Sequence, residues 1–154
     1  MGFSFGATST ARLHTCHPLL VTLFRRALAH PDMPHDLTVV YGHRSAAEQA
    51  ALYAKGRTMP GKIVTNAKPG KSKHNTKPSQ AIDVVPFIDG KASPDDWAPI
   101  RACAPVIYAT WAEMQADGTV PHGVTLHWGG DWNGDGLMND TPADGMHWQF
   151  ARIR

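Results

Sequence analysis

The fold and chemistry of this chain depend on three short segments, Ser72-Lys73-His74, Ala81-Ile82-Asp83 and Asp144-Gly145-Met146-His147. They supply two histidines and one aspartate, which are side chains that zinc accepts as ligands. A catalytic zinc ion typically keeps three protein ligands and leaves its fourth position to water, whose pKa falls to about 7 when it is bound. We therefore expect His74, Asp83 and His147 to hold zinc in a hydrolytic site.

Asp144 is the candidate general base of this site. It lies three residues before His147, so on an extended or tightly turned segment it can reach a water molecule at the metal without being a ligand itself. An aspartate that only caps a loop is the alternative interpretation. Asp131 and Asp140 lie nearby and are competing candidates for the base.

Further segments accompany these three, namely Tyr41-Gly42-His43-Arg44-Ser45, Gln49, Leu52-Tyr53, Gly56-Arg57-Thr58 and Trp128-Gly129-Gly130-Asp131-Trp132. Together the segments resemble the zinc peptidases that cut the peptide stems of bacterial cell walls. That group includes D-alanyl-D-alanine carboxypeptidases and dipeptidases and the L-alanyl-D-glutamate endopeptidases used as phage endolysins. It is structurally related to the hedgehog signalling domain. The likeness extends over roughly residues 10 to 150.

The resemblance implies an α+β fold in which helices pack on a small, largely antiparallel sheet, the hedgehog/D,D-peptidase fold. It also implies a phage-type endolysin that cleaves the L-alanyl-D-glutamate bond of peptidoglycan with zinc held by His74, Asp83 and His147. D-alanyl-D-alanine carboxypeptidase or dipeptidase activity is the nearest alternative, because the metal ligands are shared. A binding module without catalysis is a second alternative, although such a module would not need Asp144.

Three polar residues are candidates for contacts with substrate. The guanidinium of Arg44 offers two parallel donors, which suit a substrate carboxylate or a developing oxyanion; a structural ion pair is the alternative. Gln49 and Ser72 are expected to add hydrogen bonds to substrate, and Thr65 is a weaker candidate. Ser72 has no evident base to make it a nucleophile, so orientation of the site is its better role.

Two features depart from the family pattern. His74 and Asp83 are nine positions apart, about two more than is usual in the family, so residues 75–80 are expected to form a wider loop between the two ligands. Gln149 stands where many relatives carry a glutamate, two residues after the last histidine. Glutamine keeps the hydrogen-bonding shape of glutamate and loses its charge.

A second cation site is suggested by Asp131-Trp132-Asn133-Gly134-Asp135-Gly136. Oxygen donors at the first, third and fifth positions and glycine at the sixth match the start of an EF-hand loop. Position twelve is Pro142 instead of a bidentate glutamate, so Asn139, Asp140 or Asp144 would have to complete the cage. Calcium at Asp131, Asn133 and Asp135 is one hypothesis, and a turn that needs no ion is the other.

Composition limits the partners. With 154 residues, 42% hydrophobic and 18% charged, residues 1–154 are expected to form a single monomeric catalytic domain without a separate wall-binding domain. The formal charge of +2 permits attraction to an anionic wall and gives little support to nucleic-acid binding. The two cysteines, Cys16 and Cys103, are expected to be free, buried thiols.

The sequence also carries expectations about localisation. Residues 1–10 lack a basic flank followed by an apolar core, and no run of about 18 or more apolar residues occurs. We expect synthesis in the host bacterial cytoplasm without a signal peptide and no membrane insertion. Action at the cell wall would then follow release through a membrane pore.

Hydrophobic periodicity predicts the secondary structure around the site. Apolar residues recur at helical spacing over 18–30 and 94–115, with Pro105 expected to kink the second helix or delay its start. Ser45 is expected to cap a helix over 46–54 with Glu48 at its third position. Strands are predicted over 37–41, 81–87, 124–128 and 146–150, and a loop over 56–70.

Overall fold

The computed structural model of the chain describes residues 2–136 and 144–152. The helices in these residues are α1 (Ala7–Leu13), α2 (Pro18–Ala29), α3 (Ala46–Ala54) and α4 (Trp97–Ala116), and a short 3-10 turn covers Lys73–Asn75. The strands are β1 (Asp36–Tyr41), β2 (Ala81–Ile88), β3 (Lys91–Ala92), β4 (Thr125–Trp128) and β5 (His147–Arg152). The predicted helices and strands are therefore present, with boundaries shifted by a few residues.

The strands form one antiparallel sheet in the order β1-β2-β5-β4, and β3 forms a hairpin with the end of β2. The α+β prediction is confirmed. Strand β2 is central, and its residue Asp83 pairs with Tyr41 of β1 on one side and with His147 of β5 on the other. The register of the sheet alone therefore brings two of the three expected metal ligands side by side.

Helices α2 and α4 supply the main cover of the core. Helix α2 buries one apolar face, and Phe24 from that face meets Trp148 of β5 edge to face, while Trp128 stacks on Trp148 at 5.4 Å between ring centroids. Cys16 and Cys103 are buried and free, and burial raises the pKa of their thiols to about 12 and about 11. Both thiols therefore stay protonated at neutral pH.

Helix α4 continues through Pro105, so the expected delay of the helix start to that proline was wrong. Proline removes one backbone donor, which leaves the carbonyl of Arg101, four residues earlier, without its helical partner. Arg101 and Pro105 both lie on the exposed side of the helix. Water can bond this carbonyl, so the helix tolerates the proline.

Helix α1 was not predicted. It is short, contains serine and threonine, and is fixed by contacts with β1. The hydroxyl of Ser9 accepts a hydrogen bond from the Val39 amide at 3.0 Å, and Arg12 donates to the Val39 carbonyl at 2.9 Å. Side chains of α1 thus satisfy the free edge of β1. No helix in the described part of the chain is long and apolar enough to span a membrane.

Candidate functional site

A buried cluster of possible metal ligands lies where β2, β5 and the 3-10 turn meet. One ligand atom from each of His74, Asp83 and His147 lies within 4.8 Å of the others. All three residues are buried, at 2%, 3% and 8% exposure. The three expected zinc ligands are therefore brought together, and the wider loop between His74 and Asp83 does not separate them.

His74 is fixed by backbone groups. The hydroxyl of Ser72 accepts a hydrogen bond from the His74 amide and so caps the turn. The Nδ1 atom of His74 lies 2.8 Å from the carbonyl oxygen of Gly42. Because a carbonyl only accepts, Nδ1 carries a proton, and in the neutral imidazole Nε2 is left with its lone pair facing the cluster.

His147 presents the other ring nitrogen, Nδ1, to the cluster. Its Nε2 atom lies 2.8 Å from the side-chain oxygen of Gln149, so Nε2 donates and Nδ1 faces the cluster. The Nδ1 atom of His147 and the Nε2 atom of His74 lie 3.0 and 3.2 Å from the same oxygen of Asp83. Two nitrogens and one oxygen with preset lone pairs suit a divalent cation, so the donor set fits the expected metal.

The protonation of the cluster is strongly biased. Burial by itself raises the pKa of Asp83. In the metal-free protein, hydrogen bonds from His147 and His74 outweigh this effect when the imidazole nitrogens facing Asp83 carry protons, and they hold the Asp83 pKa well below its usual range. Burial lowers the pKa of His147, and the hydrogen bond and charge of Asp83 more than offset it, so the net shift is upward. A metal must displace any proton on His147, so its affinity decreases as the pH falls.

Arg44 lies beneath the cluster, on the side of Asp83 away from the histidines. Its Nη2 atom is 3.4 Å from the second oxygen of Asp83, and its Nη1 atom donates to the side-chain oxygen of Gln49 at 2.9 Å. The guanidinium also packs over the ring of Tyr41 at 4.3 Å. Arg44 is 7% exposed and its Nε atom has no partner among the described residues, so the geometry is that of a buried ion pair.

Gln49 is fully buried and its polar atoms are used within the protein. Besides accepting from Arg44, its amide nitrogen donates to the Ala67 carbonyl at 2.7 Å and to the Thr65 hydroxyl at 3.3 Å. Gln49 therefore links Arg44 to the loop that precedes the 3-10 turn. Neither polar atom of the Gln49 side chain is therefore left free to bind a substrate.

Asp144 sits at the start of the turn that leads into His147. Its amide donates to the carbonyl of Gly129 at 2.8 Å, and its own carbonyl accepts from the His147 amide at 3.0 Å. A Cβ atom at Gly129 would overlap the Asp144 carbonyl oxygen, so only glycine allows this approach. The indole of Trp128 donates to the Gly145 carbonyl at 2.7 Å and fixes the same turn.

The carboxyl of Asp144 has a raised pKa. Burial is the largest cause, and the negative charge of Asp83 adds to it, while His147, His74 and Arg44 act in the opposite direction. These couplings place Asp144 within electrostatic reach of the metal ligands. A carboxylate with a raised pKa is a better proton acceptor at neutral pH.

Two aromatic side chains, Trp132 and His127, lie beside the ligands. The ring of Trp132 lies 5.7 Å from that of His147 and 5.2 Å from that of His127, and Trp132 is only half-buried. His127 in turn lies within 3.2 Å of the Asp131 carbonyl. The ring of Trp132 therefore lies beside the ligand His147, with His127 packed against it.

The acidic loop after β4 is closed by its own backbone. The carboxylate of Asp131 accepts hydrogen bonds from the amides of Asp135 and Gly136 at 3.1 and 3.0 Å, and the side-chain oxygen of Asn133 also accepts from the Asp135 amide. This geometry is compatible with either interpretation of the loop. The suggested further ligands Asn139 and Asp140, together with Pro142, lie outside the described residues.

Comparisons with known proteins identify the same family as the sequence motifs do. The family model described as phage L-alanyl-D-glutamate peptidase matches residues 1–150. The chain is 35% identical over 149 residues to the L-alanyl-D-glutamate peptidase of Escherichia phage T5, covering 96% of this chain and 94% of that protein. It is 28% identical over 107 residues to the peptidoglycan L-alanyl-D-glutamate endopeptidase CwlK of Bacillus subtilis, covering 63% of this chain and 54% of that protein.

A solved structure is also similar. The crystal structure of the Serratia marcescens L-Ala D-Glu endopeptidase ChiX superposes with a TM-score of 0.67 at 25% identity, covering 96% of this chain and 90% of that one. The fold and the family expected from the sequence are both confirmed. On the full-length match and the shared fold, the chain belongs to the phage L-alanyl-D-glutamate peptidase family.

Proposed function

We propose that the protein is a zinc-dependent endopeptidase that hydrolyses the L-alanyl-D-glutamate bond in the peptide stems of bacterial peptidoglycan. The observation that carries the proposal is the buried cluster of His74, Asp83 and His147 with the carboxyl of Asp144 beside it. Family membership supports the substrate, because the relatives are named for this bond.

Zinc is the metal favoured by the ligand set. Two imidazole nitrogens and one carboxylate oxygen form the three-ligand set typical of catalytic zinc, and both imidazoles are held as the required tautomers by Gly42 and Gln149. Bound zinc would supply Lewis acidity toward the scissile carbonyl and lower the pKa of water. Fixed tautomers reduce the reorganisation needed when the metal binds.

Asp144 is proposed to move the proton in this reaction. As a general base it accepts a proton from the attacking water, and it then gives that proton to the amide nitrogen that leaves as the amine of D-glutamate. Its raised pKa suits both steps. The contacts of its backbone with Gly129 and His147 fix the turn that carries this carboxyl next to the ligand His147.

Arg44, Gln49 and Ser72 are proposed to position the ligands. Arg44 bonds the free oxygen of Asp83, Gln49 holds Arg44, and Ser72 caps the turn that carries His74. Direct binding of an anionic substrate group by Arg44 remains a prediction from the sequence. The burial of Arg44 and Gln49 supports the positioning role more strongly.

The proposal is tested by mass spectrometry of the products released from purified Gram-negative peptidoglycan. We expect free stem peptides that begin at D-glutamate, their loss on treatment with a chelator, and their return on addition of zinc. Release of D-alanine would instead assign the protein to the carboxypeptidases. No product in the presence of zinc would favour a binding module without catalysis.

The remaining proposals concern the setting of the reaction. We expect a monomer that acts through one domain on peptidoglycan, without binding nucleic acid. Synthesis in the host cytoplasm and release to the wall through a membrane pore fit the relationship to a phage peptidase.

Calcium is proposed as a second cation in the loop that contains Asp131, Asn133 and Asp135. The order of the oxygen donors in the sequence supports this proposal. Because the loop leads toward Asp144, calcium would order the catalytic turn. We expect a calcium-selective chelator, used in a zinc-buffered solution, to lower the rate of stem-peptide release several-fold and added calcium to restore it.

The control for the calcium experiment is the zinc content, which must stay constant through the chelation and the add-back. Full activity after verified calcium removal would contradict the coupling and leave the loop as an Asp/Asn/Gly turn.

A further inference from the structure

The charges of the chain are distributed unevenly. Seven of the fifteen Lys and Arg residues lie between Lys55 and Lys77, whereas none of the thirteen Asp and Glu residues lies between Glu48 and Asp83. The rest of the chain holds eight cations against thirteen acids, so it is negative overall. The formal charge of +2 conceals this separation, and we refer to residues 55–77 as the basic segment.

The cations of the basic segment face solvent. Lys73 is half-buried and lies 3.5 Å from the side-chain oxygen of Gln80. The other six are exposed, namely Lys55, Arg57, Lys62, Lys68, Lys71 and Lys77. Within residues 2–136 and 144–152, no ion pair joins any of the seven to a carboxylate. Their charge is available to a partner.

One of these cations has a structural task. Arg57 packs over the ring of Tyr53 at 3.8 Å and donates to the carbonyls of Tyr53 and Thr65 at 2.7 and 3.0 Å. It therefore folds the segment back on helix α3. Within residues 2–136 and 144–152, the side chains of the exposed lysines make no such contact, so removing their charge should not disturb the fold.

The basic segment is continuous with the active site. It contains the 3-10 turn that presents His74, and its middle is fixed to Gln49 through the Ala67 carbonyl. The side chain of Asn75 joins the segment to the ligand support, accepting from the Gly70 amide at 3.0 Å and donating to the Arg44 carbonyl at 2.8 Å. An anionic polymer bound along the segment would therefore be held next to the metal ligands.

We propose that the basic segment is the wall-docking surface of this domain and binds the free carboxylates of peptidoglycan stem peptides next to the stem being cut. This inference rests on peptidoglycan being the substrate. Charge complementarity supports it, because a polymer with repeated carboxylates matches repeated exposed lysines. Such a surface would give a chain of small net charge a local attraction to an anionic polymer.

An anionic lipid surface is the competing partner. Met59, Ile63 and Val64 in the same segment are large apolar residues at 59%, 56% and 56% exposure, and cations beside exposed apolar residues are also typical of membrane-surface segments. The stem peptides are favoured because the lysines extend beyond these residues to the turn that carries His74.

Binding is tested with the triple variant Lys62→Gln, Lys68→Gln, Lys71→Gln in an Asp144→Asn background, so that the wall is not digested. The matched control carries Arg25→Gln, Lys91→Gln and Arg101→Gln, which remove the same charge from exposed positions outside the segment. Cosedimentation with purified peptidoglycan at low salt should be about tenfold weaker for the segment variant and nearly unchanged for the control. Added salt should weaken binding of the parent protein.

Turnover gives the second readout. With Asp144 restored, the segment variant should lose rate on intact peptidoglycan and keep its kcat on a soluble muramyl peptide. Equal losses for both triple variants would reduce the effect to net charge and overturn the proposal. If the segment variant loses binding to vesicles of anionic phospholipid but keeps its binding to peptidoglycan, the partner is the lipid surface and the proposal is wrong. Failure of the proposed reaction itself would be recognised separately, as absence of products from the parent protein.

Discussion

Replacing Asp144 by Asn is expected to abolish release of stem peptides while the protein keeps its metal and its affinity for peptidoglycan. Asparagine has nearly the same shape as aspartate, so the hydrogen bonds of the Asp144 backbone to Gly129 and His147 should persist. Its amide cannot accept the proton of the attacking water. The loss of general-base catalysis should reduce kcat by about 10²- to 10⁴-fold.

The comparison variant for this experiment is Asp140→Asn, because Asp140 is the neighbouring acid that the sequence offers as an alternative base. We expect it to retain the activity of the parent protein. Metal content is measured by elemental analysis and wall binding by cosedimentation for both variants. Unchanged turnover in Asp144→Asn would remove Asp144 from the mechanism, and loss of metal from that variant would make it a ligand.

Local sequence signals predicted much of this fold. The amphipathic period of α2 and the capping box of α3 are set within a dozen residues, and the structure has Ser45 accepting from the Glu48 amide while Glu48 accepts from the Ser45 amide. The central position of β2 was not predicted, although its nearly unbroken run of apolar residues is typical of a strand buried on both faces. Elements with such internal signals were located within a few residues.

Elements that depend on distant partners were not predicted. Helix α1 is fixed through the contacts of Ser9 and Arg12 with β1, about thirty residues away, and its own composition does not favour a helix. Tertiary contacts of this kind leave no periodic pattern in the sequence.

In the site, too, some features could be predicted from the local sequence and others depend on distant contacts. The residue types at His74, Asp83 and His147 were evident, because few other side chains bind zinc. The ligand atoms were not evident, because the choice between Nε2 and Nδ1 depends on the Gly42 carbonyl for one imidazole and on Gln149 for the other. Gln149 was noted only as a departure from the family pattern, and its contact with His147 supplies a physical reason for the residue.

Replacing Arg44 by Met is expected to produce the largest loss of stability among single substitutions around the site. Methionine keeps an unbranched apolar side chain, but it removes both hydrogen bonds of the guanidinium and its contact with the Tyr41 ring. The Asp83 carboxylate, 5% exposed as a side chain, then loses its only cationic partner of fixed charge among the described residues. Breaking a buried pair in this way costs about 3 kcal/mol in the free energy of unfolding.

The loss of stability in Arg44→Met should depend on whether the metal is bound. Urea unfolding should show the full loss for Arg44→Met in metal-free protein and a smaller loss in zinc-loaded protein, because a bound divalent cation neutralises Asp83 independently of Arg44. Arg101→Met is the matched control, since Arg101 is exposed and should change stability by less than about 0.5 kcal/mol. If zinc leaves the loss unchanged, Arg44 stabilises the fold by packing and by its bond to Gln49 rather than by its charge, and its proposed role as the support of Asp83 is wrong.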